Sequence, residues 1–176
     1  EWLRQDGEAS GYQLDALQVV SAENDKISSS GIRQLLENGE VSAAARCLGR
    51  PYRLTGEVVI GDQRGRTLGF PTANLAVWAR QMLPRNGVYA TRARLGEERF
   101  IAFTNVGTRP TFKPEAVDRK VEAYLLDFDR DIYGQVLTLD FNAFIRPEMR
   151  FENMQALTQQ IQKDIQFARE VAADET

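Results

Sequence analysis

Between residues 52 and 146 the sequence reads as a succession of strand patterns joined by short turns. Residues 87–95 (GVYATRARL) and 99–107 (RFIAFTNVG) are separated by the short turn GEE, and residues 120–128 and 135–146 flank the turn DRDIYG. Strands that follow one another through short links pair as antiparallel hairpins, whereas parallel strands need longer crossovers. This region therefore predicts a mainly β domain, either an antiparallel barrel or a sandwich.

Helical patterns lie on both sides of the strands. Residues 27–40 (ISSSGIRQLLENGE) and 41–52 (VSAAARCLGRPY) carry helix-capping serines and the stop residues Gly39 and Gly49, so they predict two short helices joined by a tight turn. Residues 153–172 predict an amphipathic C-terminal helix that covers an open side or end of the β domain. Its apolar stripe consists of Met154, Leu157, Ile161, Ile165 and Ala168.

Length and composition bound the function. The 176 residues allow one domain and part of a second. The net charge of −3 argues against a nucleic-acid surface, and neither a membrane-spanning apolar run nor a signal peptide is present in this sequence. Cys47 is the only cysteine, which excludes an internal disulfide and suits a cytoplasmic protein; its Ala-rich surroundings favour a small core residue over a nucleophile.

The chain has no histidine. This absence excludes Ser-His-Asp and Cys-His catalysis and zinc sites that use imidazole ligands. A general base must then be a carboxylate, a lysine or a tyrosine. A metal site must rely on oxygen ligands, which points to magnesium or calcium.

Residues 61–74 (GDQRGRTLGFPTAN) follow the first strand pattern and have an unusual composition. The candidate phosphate-binding residues are Gly61, Arg64, Gly65, Arg66 and Gly69. Glycines let backbone N–H groups approach a ligand closely, and the arginines add positive charge. The spacing matches neither a Walker A loop nor a dinucleotide-binding fingerprint, so a phosphate cradle and a plain Gly-rich turn both remain open.

Two oxygen-bearing side chains end this segment. Pro71 biases the chain towards an extended shape, so Thr72 and Asn74 project to the same side. A hydroxyl and an amide oxygen on one side can complete the shell of a magnesium ion whose other ligands are waters and nucleotide phosphates.

GRTLGFPTAN (65–74) resembles the nucleotide- and magnesium-binding signature of riboflavin kinases, in particular the kinase module of bacterial bifunctional riboflavin kinase/FMN adenylyltransferases (FAD synthetases). Four further segments resemble the family in the family's order, and the resemblance spans roughly residues 50–170. These segments are NGVYA (86–90), NVGTRPTF (105–112), VEAYLLDFDRDIYG (121–134) and FIRPEMRF (144–151).

The resemblance implies a small closed antiparallel β-barrel with a C-terminal helix over residues 51–176. It also implies Mg²⁺-dependent transfer of the γ-phosphate of ATP to the terminal ribityl hydroxyl of riboflavin, which gives FMN and ADP. The flavin is then substrate and product rather than a prosthetic group. The alternatives are a bifunctional FAD synthetase and a barrel that binds flavin without phosphorylating it.

Individual residues acquire roles through the same resemblance. Thr72 and Asn74 match the positions that hold Mg-ATP, and Glu122 matches the family's proposed catalytic base. Without the resemblance, Glu122 would read as one more exposed strand residue. Many family members have histidine where this chain has Tyr124, and we expect Tyr124 to serve as a packing or hydrogen-bonding residue on the face of Glu122.

Five more residues are implied to lie near the substrates. Asn105, Thr108 and Arg109 resemble positions near the nucleotide and flavin pockets, although such residues also stabilise ordinary loops. Arg146 and Phe151 resemble positions beside the flavin ring, where either can stack; Phe151 can equally cap the helix that it precedes.

The turn DFDRDIYG (127–134) contains Asp127, Asp129 and Asp131. Their spacing resembles part of a calcium loop, but the rest of that motif is missing. A solvated hairpin turn is therefore the favoured interpretation.

The N-terminal residues 1–50 are interpreted as a remnant of an adenylyltransferase module that would be a partner in a longer chain. Residues 12–20 (YQLDALQVV) predict a strand, and residues 26–41 resemble the end of that module. Because the module's paired histidines are missing, the remnant is not expected to adenylylate FMN. Ser28, Ser29 and Arg33 are expected to act as a helix cap and a surface arginine.

Overall fold

A computed structural model describes residues 2–15, 21–22, 25–61, 65, 69–109 and 118–174. The N-terminal part contains three helices and one short antiparallel strand pair. In chain order these are α1 (Trp2–Ser10), β1 (Ser21–Ala22), β2 (Asp25–Lys26), α2 (Ser29–Asn38) and α3 (Val41–Leu48). Helix α1 was not predicted. Of the strand predicted at 12–20, residues 12–15 have no regular structure and 16–20 lie outside the described residues.

The central part is a closed barrel of six antiparallel strands. The strands are β3 (Tyr52–Val59), β4 (Ala73–Ala76), β5 (Gly87–Leu95), β6 (Glu98–Arg109), β7 (Asp118–Leu125) and β8 (Val136–Arg146). Their order around the barrel is β3-β4-β7-β6-β5-β8. The predicted hairpin of β5 and β6 is confirmed. The second predicted hairpin is wrong: β7 pairs with β4 and β6, and β8 pairs with β3 and β5, so the short link between β7 and β8 joins strands that are not neighbours. The sheet closes as a barrel rather than splitting into a sandwich.

Alternation along each strand separates an inner from an outer face. Leu54 and Val58 on β3 point inwards with Leu137, Leu139 and Phe141 on β8, and all five are buried in one core. The residues between them face outwards. The C-terminal helix covers this outer face along β5, β6 and β8. The inner face thus carries the packing, and the outer face is available for binding.

The α2–α3 pair packs against β8 and β3 at one end of the barrel. Leu36, Val41 and Ala44 are almost fully buried and belong to the same core as the barrel interior. The predicted caps are confirmed: Ser28 accepts a hydrogen bond from the backbone of Gly31 at the start of α2, and Gly39 ends it.

The same end is closed by Tyr89 and Arg119. The Tyr89 hydroxyl donates to the Arg85 carbonyl at 2.5 Å, and burial raises the pKa of Tyr89 to about 12. Arg119 donates to the carbonyls of Leu83 and Pro84 and to the side chain of Asn86, and burial lowers the pKa of its guanidinium. These groups satisfy the backbone of the loop that seals the barrel.

The C-terminal helix α4 (Met154–Ala173) lies on the outer face of β5, β6 and β8, as a cover over the side of the barrel. Its buried positions include Ala168 of the predicted stripe and Asp164, which was not predicted to face inwards. Met154, at the start of the stripe, is 55% exposed. No helix in the described ranges is both long and apolar enough to cross a membrane.

The barrel core supplies a direct test of this packing. Leu139 is fully buried on β8, so Leu139→Ala should lower the free energy of unfolding by about 2–5 kcal/mol through lost burial and the remaining cavity. Val136 lies on the same strand but is 59% exposed, and Val136→Ala should change stability by no more than about 0.5 kcal/mol. Urea unfolding measures both, and equal losses would contradict the assignment of inner and outer faces.

Candidate active site

A row of directly paired residues crosses the outer face of the barrel. Asn74 on β4 pairs with Glu122 on β7, and Glu122 pairs with Asn105 on β6. Asn105 pairs with Val88 on β5, which pairs in turn with Arg146 on β8. Side chains that are directly opposite in a sheet lie about 5 Å apart on the same face. Four residues singled out from the sequence therefore occupy one row.

Asn74 is the most buried polar residue of the row, at 6% exposure. Within the described part of the chain, no hydrogen-bond partner reaches its buried Oδ1. A buried amide oxygen without a partner costs free energy, so it marks a place where a ligand or ion is expected. An oxygen atom of this kind suits a hard cation such as Mg²⁺.

Gly61 lies directly against this amide. A Cβ atom at residue 61 would clash with the Cγ, Oδ1 and Nδ2 atoms of Asn74. Glycine is therefore required at this position, because the chain just after β3 passes directly over the Asn74 side chain. Gly61, one of the candidate phosphate-binding residues, thus lies against the side chain of Asn74.

The segment before β4 is held by backbone and aromatic contacts. The backbone N–H of Phe70 donates to the carbonyl of Gly65 at 2.9 Å. The Phe70 ring packs edge-on against Tyr124 at 5.7 Å, and Tyr124 also packs against Phe103 at 5.2 Å. Tyr124 thus packs on the outer face shared with Glu122, as expected, and it ties the Thr72-bearing segment to strand β7.

Glu122 forms a short ion pair with a residue that the sequence analysis did not single out. Its Oε1 lies 2.7 Å from Nζ of Lys120, and the two side chains are 27% and 24% exposed. The two residues share a face because they are two positions apart on one strand. The spacing of two residues could therefore have identified Lys120 from the sequence as a neighbour of Glu122.

Asn105 and Glu148 extend the polar surface beyond Glu122. Nδ2 of Asn105 donates weakly to Oε1 of Glu148 at 3.5 Å. A Cβ atom at Gly107 would clash with the same carboxylate. The segment that follows β8 therefore folds back over β6 beside the row, which nothing in the spacing of Glu148 indicated.

Arg146 is held by α4. Its Nε and Nη2 donate to the carboxylate of Asp164, with the shortest distance at 2.7 Å, and Gln160 donates to the same carboxylate at 3.0 Å. The guanidinium carbon lies 5.7 Å from the ring centroid of Phe151. Arg146 and Phe151 thus contact each other, and Asp164, fully buried, fixes the arginine.

A cavity of about 300 Å³ adjoins Thr72 at the open end of the barrel. Its apolar lining includes Val58, Ala73, Ala123 and Leu125 from the inner face, and the turn from Phe128 to Tyr133 forms its rim. Small-molecule pockets begin at about this size. This cavity could not be predicted from the sequence, because it depends on strands that are distant in the chain.

The remaining predicted residues are distributed less compactly. Thr108 is exposed and pairs with Arg119. Because Thr108 is three positions from Asn105 on β6, the two side chains lie on opposite faces of that strand. Arg109 ends β6, and only its backbone is described; Gly69 lies in the turn before Phe70. Arg64 and Arg66 fall outside the described residues.

The acidic turn at 127–134 is largely solvated, but it is not a hairpin turn, because the strands that it joins, β7 and β8, do not pair with each other. Asp127 forms an exposed ion pair with Arg169 at 2.9 Å, and Asp131 accepts the backbone N–H of Tyr133 at 3.0 Å. Within the described ranges, no group of three or more His, Cys, Asp or Glu side chains could hold a metal ion. Any cation at the row would rely on ligands such as Thr72 and Asn74 together with those of its substrate.

The contact between Gly61 and Asn74 can be tested by a double substitution. Gly61→Ala should lower the free energy of unfolding by about 1–3 kcal/mol, because the new methyl group must displace the buried amide. In an Asn74→Ala background the clashing atoms are absent, so the same change should cost much less. Thermal or urea unfolding of the four proteins gives the coupling, and additive losses would contradict the contact.

Comparison with known proteins shows the family to which this sequence and fold correspond. The family model described as riboflavin kinase matches residues 48–172. Bifunctional riboflavin kinase/FMN adenylyltransferases are similar over most of the chain: the Listeria monocytogenes protein is 39% identical across 90% of this chain and 50% of its own length, and that of Haemophilus influenzae is 41% identical across 90% and 51%. The chain thus spans about half the length of these curated relatives.

A solved structure has the same fold. A Streptococcus pneumoniae chain described as a macrolide-efflux protein superposes with a TM-score of 0.82 at 35% identity, over 87% of this chain and 50% of that chain. The match to the family model covers well over half of the present sequence, including the barrel, the row that contains Glu122 and most of α4. The chain therefore belongs to the riboflavin kinase family.

Proposed function

We propose that this chain is an ATP-dependent riboflavin kinase that converts riboflavin and ATP into FMN and ADP. The observation that carries the proposal is the pairing of Asn74 with Glu122. It puts an unpartnered buried amide oxygen beside a carboxylate, within a family that transfers phosphate to an alcohol. The first group suits the metal-bound nucleotide and the second suits the acceptor hydroxyl.

Mg²⁺ fits the residues around Asn74. The free Oδ1 of Asn74 and the nearby Thr72 hydroxyl would hold the ion together with phosphate oxygens and waters. When bound, the ion supplies charge neutralisation on the transferring phosphate. Because the phosphates bring the negative charge, the site needs no aspartate or glutamate cluster.

Glu122 acts on the acceptor alcohol in this proposal. Its carboxylate accepts a hydrogen bond from the terminal ribityl hydroxyl and orients it towards the γ-phosphorus. As the new O–P bond forms, the bond from the γ-phosphorus to the β–γ bridging oxygen breaks and ADP leaves. The hydroxyl proton passes to Glu122, late in a transition state that depends mainly on alignment and charge.

Two surfaces on either side of Thr72 and Glu122 suit the two substrates. The cavity with the Val58, Ala73 and Leu125 lining adjoins Thr72, so it can take the nucleoside end of ATP while the phosphates run along the outer face. On the other side of Glu122, Phe151 and the exposed Met149 offer apolar surface to a flavin ring. The ribityl chain would then reach Glu122 from that side.

Replacement of the base should separate chemistry from binding. Glu122→Gln keeps the size of the side chain but cannot take the proton, so kcat should fall by about 10²–10⁴-fold while the Kd for riboflavin changes little. The formation of FMN measured by chromatography and the quenching of riboflavin fluorescence give the two quantities. Glu57→Gln, on the exposed surface of β3, is the matched control. Equal losses of turnover and flavin binding would make Glu122 structural.

Removal of the metal should affect nucleotide binding through Thr72. Calorimetry should show that ADP binds the unmodified protein more tightly with Mg²⁺ than with EDTA. Thr72→Ala should lose most of that difference, whereas Thr55→Ala, an exposed threonine on β3, should retain it. A difference that survives in Thr72→Ala would remove this hydroxyl from the proposed site. A flavin carrier without kinase activity would show no such dependence in any of the three proteins.

A further inference from the structure

We propose that Lys120 is a positioning residue that holds the Glu122 carboxylate ready for the acceptor hydroxyl; this inference rests on the proposed function. The ion pair is short, at 2.7 Å, and it engages one carboxylate oxygen, Oε1. The other oxygen remains for the substrate. An ion pair that fixes one oxygen reduces the rotational freedom of the carboxylate, and catalytic alignment depends on such restriction.

The location of Lys120 distinguishes this pair from an ordinary surface ion pair. Both side chains are about three-quarters buried, so solvent screens their attraction less than that of a fully exposed pair. Lys120 lies opposite Gly107, which has no side chain to fill the space above the strand. The carboxylate of Glu148 lies over Gly107 instead, so a second carboxylate adjoins the position opposite Lys120.

The positive charge of Lys120 also matters when a nucleotide is bound. A triphosphate bound near Asn74 brings several negative charges close to Glu122, and like charges repel. This repulsion would turn a carboxylate that is free to rotate, and the ammonium group holds the carboxylate in place without touching the reacting atoms. Asn74 lies directly opposite Glu122 on the neighbouring strand β4. Lys120 lies two residues before Glu122 on β7, in the direction of the Leu75–Val121 pair and therefore away from Thr72. The lysine therefore supports the carboxylate from the side away from the cavity.

A double-mutant cycle tests whether Lys120 acts through Glu122. Lys120→Met should lower kcat about tenfold or more, with the KM for riboflavin and the Kd for Mg-ADP nearly unchanged. Lys120→Arg retains the charge and should recover most of the rate. In a Glu122→Gln background, Lys120→Met should produce no further loss, because there is no carboxylate left to position. Lys163→Met, on the exposed face of α4, is the control and should keep the full rate.

Every other result overturns the inference in an identifiable way. An equal loss in both backgrounds would show that Lys120 acts independently of Glu122. A raised KM or a weakened Mg-ADP complex would make it a substrate-binding residue, and an unchanged rate or a failure of Lys120→Arg to recover would remove the proposed role of its charge. Melting temperatures of all variants separate these effects from unfolding. If Glu122→Gln alone retains the full rate, the proposed base itself fails, and that result is visible before the cycle is completed.

Discussion

The register between β4 and β7 is the constraint on which the site depends. Ala73 and Leu75 face the core, and their partners Ala123 and Val121 do the same. Because side chains alternate, Asn74 must face outwards beside Glu122. A slip of one residue would turn one of the two strands inside out, burying a polar side chain in the core and exposing apolar ones. The hydrophobic core thus determines which amide meets the carboxylate.

The same strand pair also creates the cavity beside Thr72. Ala73 and Ala123 are partners in the ladder and both line the cavity, whereas leucine or valine fills the neighbouring inward positions. Two small side chains at one level of the barrel leave the space that larger ones would occupy. The barrel can therefore be well packed at the end that α2 and α3 close and hollow at the end that faces the proposed nucleotide.

The hairpin of β5 and β6 could be predicted because its signal is local, whereas a short link alone suggested a hairpin of β7 and β8 that the barrel does not form. β5 spans the same residues, 87–95, as its sequence pattern, and the two helices before the barrel end at the predicted glycines. β4 is only four residues long, and one of its two neighbours, β7, comes three strands later in the chain, so the two strands meet only in the closed barrel. The pairing of Asn74 with Glu122 could therefore be expected from the family resemblance but not from periodicity. Lys120 was within reach of sequence reasoning, because alternation alone puts it on the face of Glu122.

Asp164 shows why a stripe of apolar residues is an incomplete description of a buried helix face. A carboxylate on that face argues for solvent exposure unless a partner is known, and its partner, Arg146, comes from strand β8. Burying such a pair gains little stability compared with apolar packing, so its value lies in the position that it imposes. Here it fixes the end of β8, from which the segment bearing Glu148 and Phe151 turns back over β6. The helix on one side of the barrel thereby determines where the proposed acceptor side of the site begins, and the β4–β7 pair on the other side determines where the proposed phosphate side ends.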